Sequence, residues 1–234
     1  MAEAIVPLLS LIALEVILGI DNIIFISILA DKLPGPQQKK LRLWGLTLAM
    51  IMRLLLLAFI SWILQLDQAL FTINTTVITG KSLILIIGGL FLLYKSTKEI
   101  YQKTELADQP VIAAPANAGF AQLVGEVILL DLVFSIDSII TAVGMVQELW
   151  VMYAAVIITV AIMMVASGPI SRFISRHPSF KILALCFLLM IGIALLADGL
   201  GFHIPKGYIY FSMAFAFLVD VIQMNTVGKS KSVE

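Results

Sequence analysis

Leu14-Glu15-Val16-Ile17-Leu18-Gly19-Ile20-Asp21-Asn22-Ile23-Ile24 returns, 116 residues further on, as Leu130-Asp131-Leu132-Val133-Phe134-Ser135-Ile136-Asp137-Ser138-Ile139-Ile140. Both stretches read acid, three apolar residues, small residue, Ile, Asp, small polar residue, Ile-Ile. Internal self-similarity of this kind bears on architecture before it bears on chemistry. Each copy also places two carboxylates inside a long apolar run.

The rest of the chain explains the apolar setting. Of 234 residues 61% are hydrophobic and only 13% charged. Mean hydropathy is +1.06. Soluble domains are about half apolar and about 25% charged. So little charge cannot cover a water-soluble globule, and the main solvent is expected to be the lipid bilayer. Net charge is zero, which gives no reason to expect nucleic acid as a partner. The single cysteine, Cys186, lies in an apolar run. Neither a disulfide framework nor a Cys/His zinc motif is expected. The N-terminus opens with Glu3 rather than a basic region, and its apolar run exceeds a signal sequence. It reads as a retained span, without a transit peptide.

A hydrocarbon core of about 30 Å needs about 20 apolar residues per helix. Spans are expected at 5–30, 43–66, 77–94, 119–145, 149–170, 182–201 and 207–224. The third is short between Lys81 and Lys95, and spans if Lys81 snorkels outward and the helix starts near Val77. Charge bias supports all seven. With the N-terminus outside, the inside loops hold Lys32, Lys39, Lys40 and Arg42; Lys95, Lys98 and Lys103; Arg172, Arg176 and Lys181; and Lys229 and Lys231. The outside loops hold only Lys81 and Lys206. Without the third span, the 172–181 cluster would lie outside and the Gln147–Glu148 turn inside. The expected topology is therefore seven helices, N-terminus outside, C-terminus cytoplasmic.

Three spans separate the two acidic copies, so they run in opposite directions. This is an inverted repeat, a layout of secondary transporters whose sites lie near the midplane at the repeat interface. The second and fifth spans echo one another more weakly, through Leu43-Trp44 and Leu149-Trp150 and through Ala49-Met50-Ile51-Met52 and Ala161-Ile162-Met163-Met164. The expected division is a first three-helix repeat over 1–95 and a cytoplasmic linker over 96–118, bearing Pro110 and Pro115. A second three-helix repeat over 119–201 follows, then a seventh helix with a short tail over 202–234. Pro34, Pro36 and Pro178 mark tight turns.

Glu15, Asp21, Asp131 and Asp137 carry the chemistry. An acid at a helix centre costs about 2.5–3.5 kcal/mol to insert. Four such acids must face one another, water, a cation or Arg53, the one basic residue within a span. Acids six residues apart on an intact helix lie about 9 Å apart along it and on different faces. A local break at Gly19 and at Ser135 is expected to bring acid, backbone carbonyl and Asn22 or Ser138 together, since unwound backbone is tolerated where it lines a cavity. Glu15 and Asp131 are expected near the middle, with Asp21 somewhat inward and Asp137 somewhat outward. Oxygen ligands suit Mg, Ca or Mn. His177 and His203 lie outside the apolar cores, which disfavours zinc, nickel and copper. A thioether from Met50, Met52, Met163 or Met164 would tilt such a site towards Mn, although Met is also common packing filler. Glu126 reads equally as a structural hydrogen-bonding acid or a vestibule residue. Arg53 reads as a structural counter-ion rather than a gate. Asp67, Asp198 and Asp220 read as solvated or capping residues near span ends. Gly88-Gly89 read as close helix packing, and Trp62, Trp150, Tyr208 and Tyr210 as interfacial anchors.

These paired motifs resemble those of the TerC family of integral membrane proteins, named for tellurium resistance. The tail His203-Ile204-Pro205-Lys206-Gly207-Tyr208-Ile209-Tyr210 resembles its short bacterial members, a group of uncharacterised inner-membrane proteins. The resemblance runs over about 5–224. It implies a seven-helix bundle that exports manganese from the bacterial cytoplasm, within a wider superfamily of lysine-exporter-like carriers. It also assigns metal binding to Glu15, Asp21, Asn22, Asp131, Asp137 and Ser138; Arg53 and Glu126, by their own place in the spans, are the candidate accessory residues. Some relatives carry soluble regulatory domains after the bundle. The chain ends ten residues past the last expected span, and such regulation is expected to be absent.

The expected function is a secondary carrier exporting a divalent cation, Mn²⁺ foremost, with no permanently bound cofactor. Protons from outside would neutralise the emptied acids for the return, giving antiport. An exporter of an amino acid or other small organic solute remains open, with Arg53 the one basic group for a solute carboxylate. A non-transporting membrane scaffold also remains open. An enzyme is not expected, since no span carries a histidine.

Overall fold

The computed structural model describes residues 2–66, 68–73, 76–105, 116–146 and 148–230. Among them the elements are α1 (Ala2–Ala30), α2 (Gly35–Ala58), α3 (Ile60–Gln65), β1 (Ala69–Ile73), β2 (Thr76–Thr79), α4 (Gly80–Thr104), α5 (Ala116–Met145), α6 (Leu149–Arg176), α7 (Pro178–Gly199) and α8 (Lys206–Ser230). Helices α1, α2, α5, α6, α7 and α8 are long and apolar enough to cross a membrane. The protein is a helical membrane protein. Asp67, Gln147 and residues 106–115 of the expected linker, including Pro110 and Pro115, lie outside the described residues.

The limits of the second and third expected spans differ most from the sequence expectation. The second span does not run unbroken over 43–66. Helix α2 starts earlier, at Gly35, with Pro36 in its first turn, where a missing N–H leaves nothing unsatisfied. It ends at Ala58, and Phe59 (φ −98°, ψ 28°) separates it from α3. Between α3 and α4 lies an antiparallel hairpin, with Phe71 opposite Ile78 and Thr72 opposite Val77. Four β-branched residues, Thr76-Val77-Ile78-Thr79, favour strand over helix there. The third helix accordingly begins at Gly80 rather than Val77. The Thr79 hydroxyl caps it, accepting from the Ser82 N–H at 3.0 Å. At its other end α4 continues to Thr104, so 96–104 is helix rather than linker. Its buried residues Leu85, Gly88, Gly89, Leu92, Ser96 and Glu99 recur every three or four positions, which keeps one face on the bundle throughout.

Close approaches fix the packing. Helix α4 lies along α7, α1 along α6, and α2 along α5 and α6. A Cβ on Gly89 would lie 2.8 Å from the Gly192 carbonyl oxygen, and one on Gly88 2.4 Å from Val133. The expectation of close packing at Gly88-Gly89 matches this contact. Helix α8 packs on α7 through Phe217, whose ring lies 5.0 Å from that of Phe180. Its other faces carry exposed apolar groups such as Phe211 and Phe215.

Two apolar cores result. One gathers Phe25, Leu29, Leu92, Leu130, Leu185 and Leu188. The other gathers Leu11, Leu57, Ile139, Val151 and Val156. Glu15 and Asp21 on α1, Arg53 on α2 and Asp137 on α5 fall between residues of one core and residues of the other.

Candidate cation-binding site

Two polar centres lie at that junction. At the first, the Arg53 side chain reaches from α2 between α1 and α5. Its Nη1 donates to Glu15 Oε2, and its Nη2 donates to Asp131 Oδ1 at 2.7 Å. Its Nε adds contacts of 3.1 and 3.3 Å to the two Asp131 oxygens. Asn22 Nδ2 donates to Asp131 Oδ1 at 3.1 Å, and Ser135 Oγ donates to Asp131 Oδ2 at 3.1 Å. Glu15, Arg53 and Asp131 are all buried. Breaking such a set by removing one member leaves a charge without compensation. A cavity of about 10 Å³ lies beside it, lined among others by Asn22, Arg53, Asp131 and Met163. That is room for about one water.

At the second centre, Asp21 and Asp137 line one cavity of about 30 Å³ among α1, α5, α7 and α8, together with Asp198, Lys206 and Tyr210. Lys206 donates to Asp137 Oδ2, and Lys81 Nζ lies 3.4 Å from Asp137 Oδ1. Asp21 forms no ion pair among the described residues. At the cavity edge Asp198 lies 3.2 Å from the ring Nδ1 of His203. Three carboxylates facing two ammonium groups leave the centre with a formal excess of one negative charge.

The whole chain aligns with a known family at this point. The sequence profile described as "Integral membrane protein TerC family" matches residues 1–232. The chain belongs to the TerC family. It is 50% identical over 214 residues to the "UPF0053 inner membrane protein YoaE" of Escherichia coli K12, covering 92% of this chain and 41% of that protein. The chain thus spans about two fifths of that relative's length. It is 47% identical over 222 residues to a "UPF0053 protein" of Haemophilus influenzae, covering 95% of this chain and 94% of that one. To the "UPF0053 inner membrane protein YgdQ" of E. coli K12 it is 45% identical over 215 residues, covering 92% and 90%. No solved structure matches it.

Within this TerC-family chain the expected site residues part company. Glu15, Asn22 and Asp131 meet around Arg53, while Asp21 and Asp137 meet in the second cavity. Ser138 joins neither group, since its hydroxyl donates to the Ser135 carbonyl at 3.3 Å. Glu126 accepts from Lys95 at 2.6 Å and from Gln122 at 3.1 Å, an ion-paired rather than vestibular setting. The expected breaks at Gly19 and Ser135 are absent, because α1 and α5 stay helical through both. Ser135 instead bonds the acid one turn before it. Gly19 makes room for Met163, whose sulfur would lie 2.7 Å from a Cβ there. An unbroken helix turns Glu15 and Asp21 to different faces, so each helix serves two centres. Among the described residues no three His, Cys, Asp or Glu side chains converge as a preformed metal cage.

Sequence reading missed Lys81, Lys206, Tyr210 and Asp198 as members of the second centre. Tyr210 lines the cavity rather than standing at the interface as an anchor, while Trp62, Trp150 and Tyr208 are exposed as anchors would be. Lys206 is 69 positions from its partner Asp137. No local pattern signals such a pairing.

Proposed function

We propose that the chain is a secondary transporter that exports a divalent cation from the bacterial cytoplasm across the inner membrane. The second acids of the two repeats, Asp21 and Asp137, hold the cargo. One observation carries this reading. Equivalent carboxylates from the two copies line a single cavity between them, and the cation now on Asp137 is a half-exposed lysine. Lys206 stands where an incoming cation would stand. A divalent ion displaces it, drawing Asp21, Asp137 and Asp198 inward with the Tyr210 hydroxyl nearby. A site that tightens only around its cargo gives the difference between loaded and empty states that transport requires. Oxygen donors favour Mg, Ca or Mn, and of these we infer Mn²⁺, which the family resemblance implies. Protons neutralise the vacated acids on the return, which makes the exchange an antiport.

Arg53 serves as the permanent counter-ion that holds α1, α2 and α5 together. Its donors are engaged by Glu15 and Asp131, and the cavity beside it holds about one water. That disfavours export of an organic solute bound through Arg53.

The seven-span inverted repeat belongs to the same proposal. Helix α4 is 25 residues long, or about 37 Å, and lies against the spanning helix α7. Its Lys81 end meets Asp137 and its Lys95 meets Glu126, nearer the other end of α5. Pairing of α1 with α6 and of α2 with α5 is what two inverted three-helix repeats generate. In a Cys186→Ser background, Gln68→Cys and Lys98→Cys label from opposite faces of the membrane. Labelling from one face would overturn the crossing of α4.

Flux in liposomes tests the function. Purified protein is expected to move Mn²⁺ in preference to Mg²⁺ and Ca²⁺, with counter-movement of protons. No divalent flux would reject the carrier reading and favour the scaffold.

A further inference from the structure

We propose that the groove between the start of α2 and the end of α6 binds the phosphate headgroup of an anionic phospholipid. The groove holds about 550 Å³, within the range of ordinary ligand clefts, about 300–1,000 Å³. Lys39, Arg42, Arg172 and Arg176 line it, together with the hydroxyl-bearing Ser171 and Ser175, and no acid does. Among the described residues none of the four cations forms an ion pair.

The site is built rather than loose. Arg42 is half-buried, and its Nη1 donates to the buried Ser171 hydroxyl at 2.9 Å. That bond holds the guanidinium at the groove with other N–H donors free. Arg172 faces it with like charge. Asp31 also acts on Arg42, but it is engaged by Lys181 and by Ser175 at 2.9 Å. Four cations line one groove, and the one acid near them, Asp31, is already engaged, which leaves a positive excess that suits an anion.

Apolar walls select a lipid rather than a soluble anion. Leu43 and Val165 line the same groove and are 58% and 79% exposed. They extend it along the outer surface of the bundle, where acyl chains lie. Basic pockets between membrane helices are a recognised way to hold anionic headgroups. The opposite end of the same helix pair carries no lysine or arginine over Leu54–Ala58 or Leu149–Ile158. Apart from the buried and paired Arg53, positive charge is thus concentrated at the groove end of this helix pair. Only the assignment to the cytoplasmic leaflet rests on the orientation proposed above.

Native mass spectrometry of the delipidated, detergent-solubilised chain tests the proposal. The protein is titrated with phosphatidylglycerol and with phosphatidylcholine of the same chain length. Phosphatidylglycerol is expected to bind first, as a single adduct. Arg172 and Arg176 are exposed, and the double variant Arg172→Gln/Arg176→Gln should weaken that adduct about 30-fold, about fivefold per arginine. Lys98→Gln, which alters an exposed lysine on α4, should leave it unchanged. Equal binding of the two lipids, an undiminished adduct in the double variant, or displacement by millimolar inorganic phosphate would each overturn the proposal. Lipid preference in the unaltered protein decides alone if the variant misfolds. Binding in detergent is read without transport, so absence of cation flux leaves this test intact.

Discussion

The Arg53 centre and the Asp21–Asp137 centre use the same kinds of residue to opposite ends. In each, one acid comes from α1 and its counterpart from α5. At the first, the cation is Arg53, with a side chain only 4% exposed and bonded to both acids. At the second, the nearest cation is Lys206, 34% exposed and bonded to one acid, with Asp21 left over. An arginine fork engages two carboxylates in fixed geometry, whereas a lysine is a mobile point charge on a flexible stem. The first centre is closed by its own residues and the second is closed provisionally. Because α1 and α5 each contribute to both, the function proposed above would have cargo in the second centre move against a fixed point in the first.

Removal of Arg53 should be the most damaging change at either centre. Arg53→Ala should cost about 3–5 kcal/mol, because Glu15 and Asp131 are left buried without a cation. Replacing the set together, as Arg53→Met/Glu15→Gln/Asp131→Asn, should recover most of that loss in a thermal melt. Asn22→Ala removes one charge-assisted bond to Asp131, and should cost about 1.5–3 kcal/mol by the same assay. Met163→Leu roughly conserves volume and should cost less than about 1.5 kcal/mol. Its thioether lines the Arg53 cavity, so Mn²⁺ over Mg²⁺ selectivity should stay unchanged. A lost preference would place the cargo in the first centre. Lys206→Ala should change stability least, by about 1 kcal/mol or less for a partly exposed pair. It should also tighten Mn²⁺ binding, since the resident competitor is gone. Weaker binding would show that Lys206 helps build the site.

The chemistry was more legible in the sequence than its geometry. Four acids in a repeated pattern, set in apolar runs, marked the α1 and α5 residues correctly as buried and polar. Arg53 stood out as the one basic residue within a span, and it is the counter-ion expected. What failed was the inference that acids six residues apart must converge through a break. Gly19 suggested unwinding, yet its smallness serves a contact with Met163 on a helix far away in sequence. Helix limits failed for a related reason. Hydropathy sees the part of a helix in lipid, so the polar start of α2 and the charged end of α4 went unread. The spacing of Leu85, Gly88, Gly89, Leu92, Ser96 and Glu99 held the signal for α4. The hairpin has no signal of its own, since β1 falls between two expected spans and the β-branched residues of β2 also suit the start of the third. Lys81 and Lys206 were read as loop charges, because their partner comes from another helix.

In the proposed carrier, cargo binds between Asp21 and Asp137, while Glu15 and Asp131 stay with Arg53. Electron paramagnetic resonance of free Mn²⁺ over the purified protein measures this binding at equilibrium, without transport. Asp21→Asn and Asp137→Asn are each expected to abolish high-affinity binding, while the compensated Arg53→Met/Glu15→Gln/Asp131→Asn protein retains it. Binding that survives both single variants and disappears in the triple one would contradict it and move the site to the Arg53 centre.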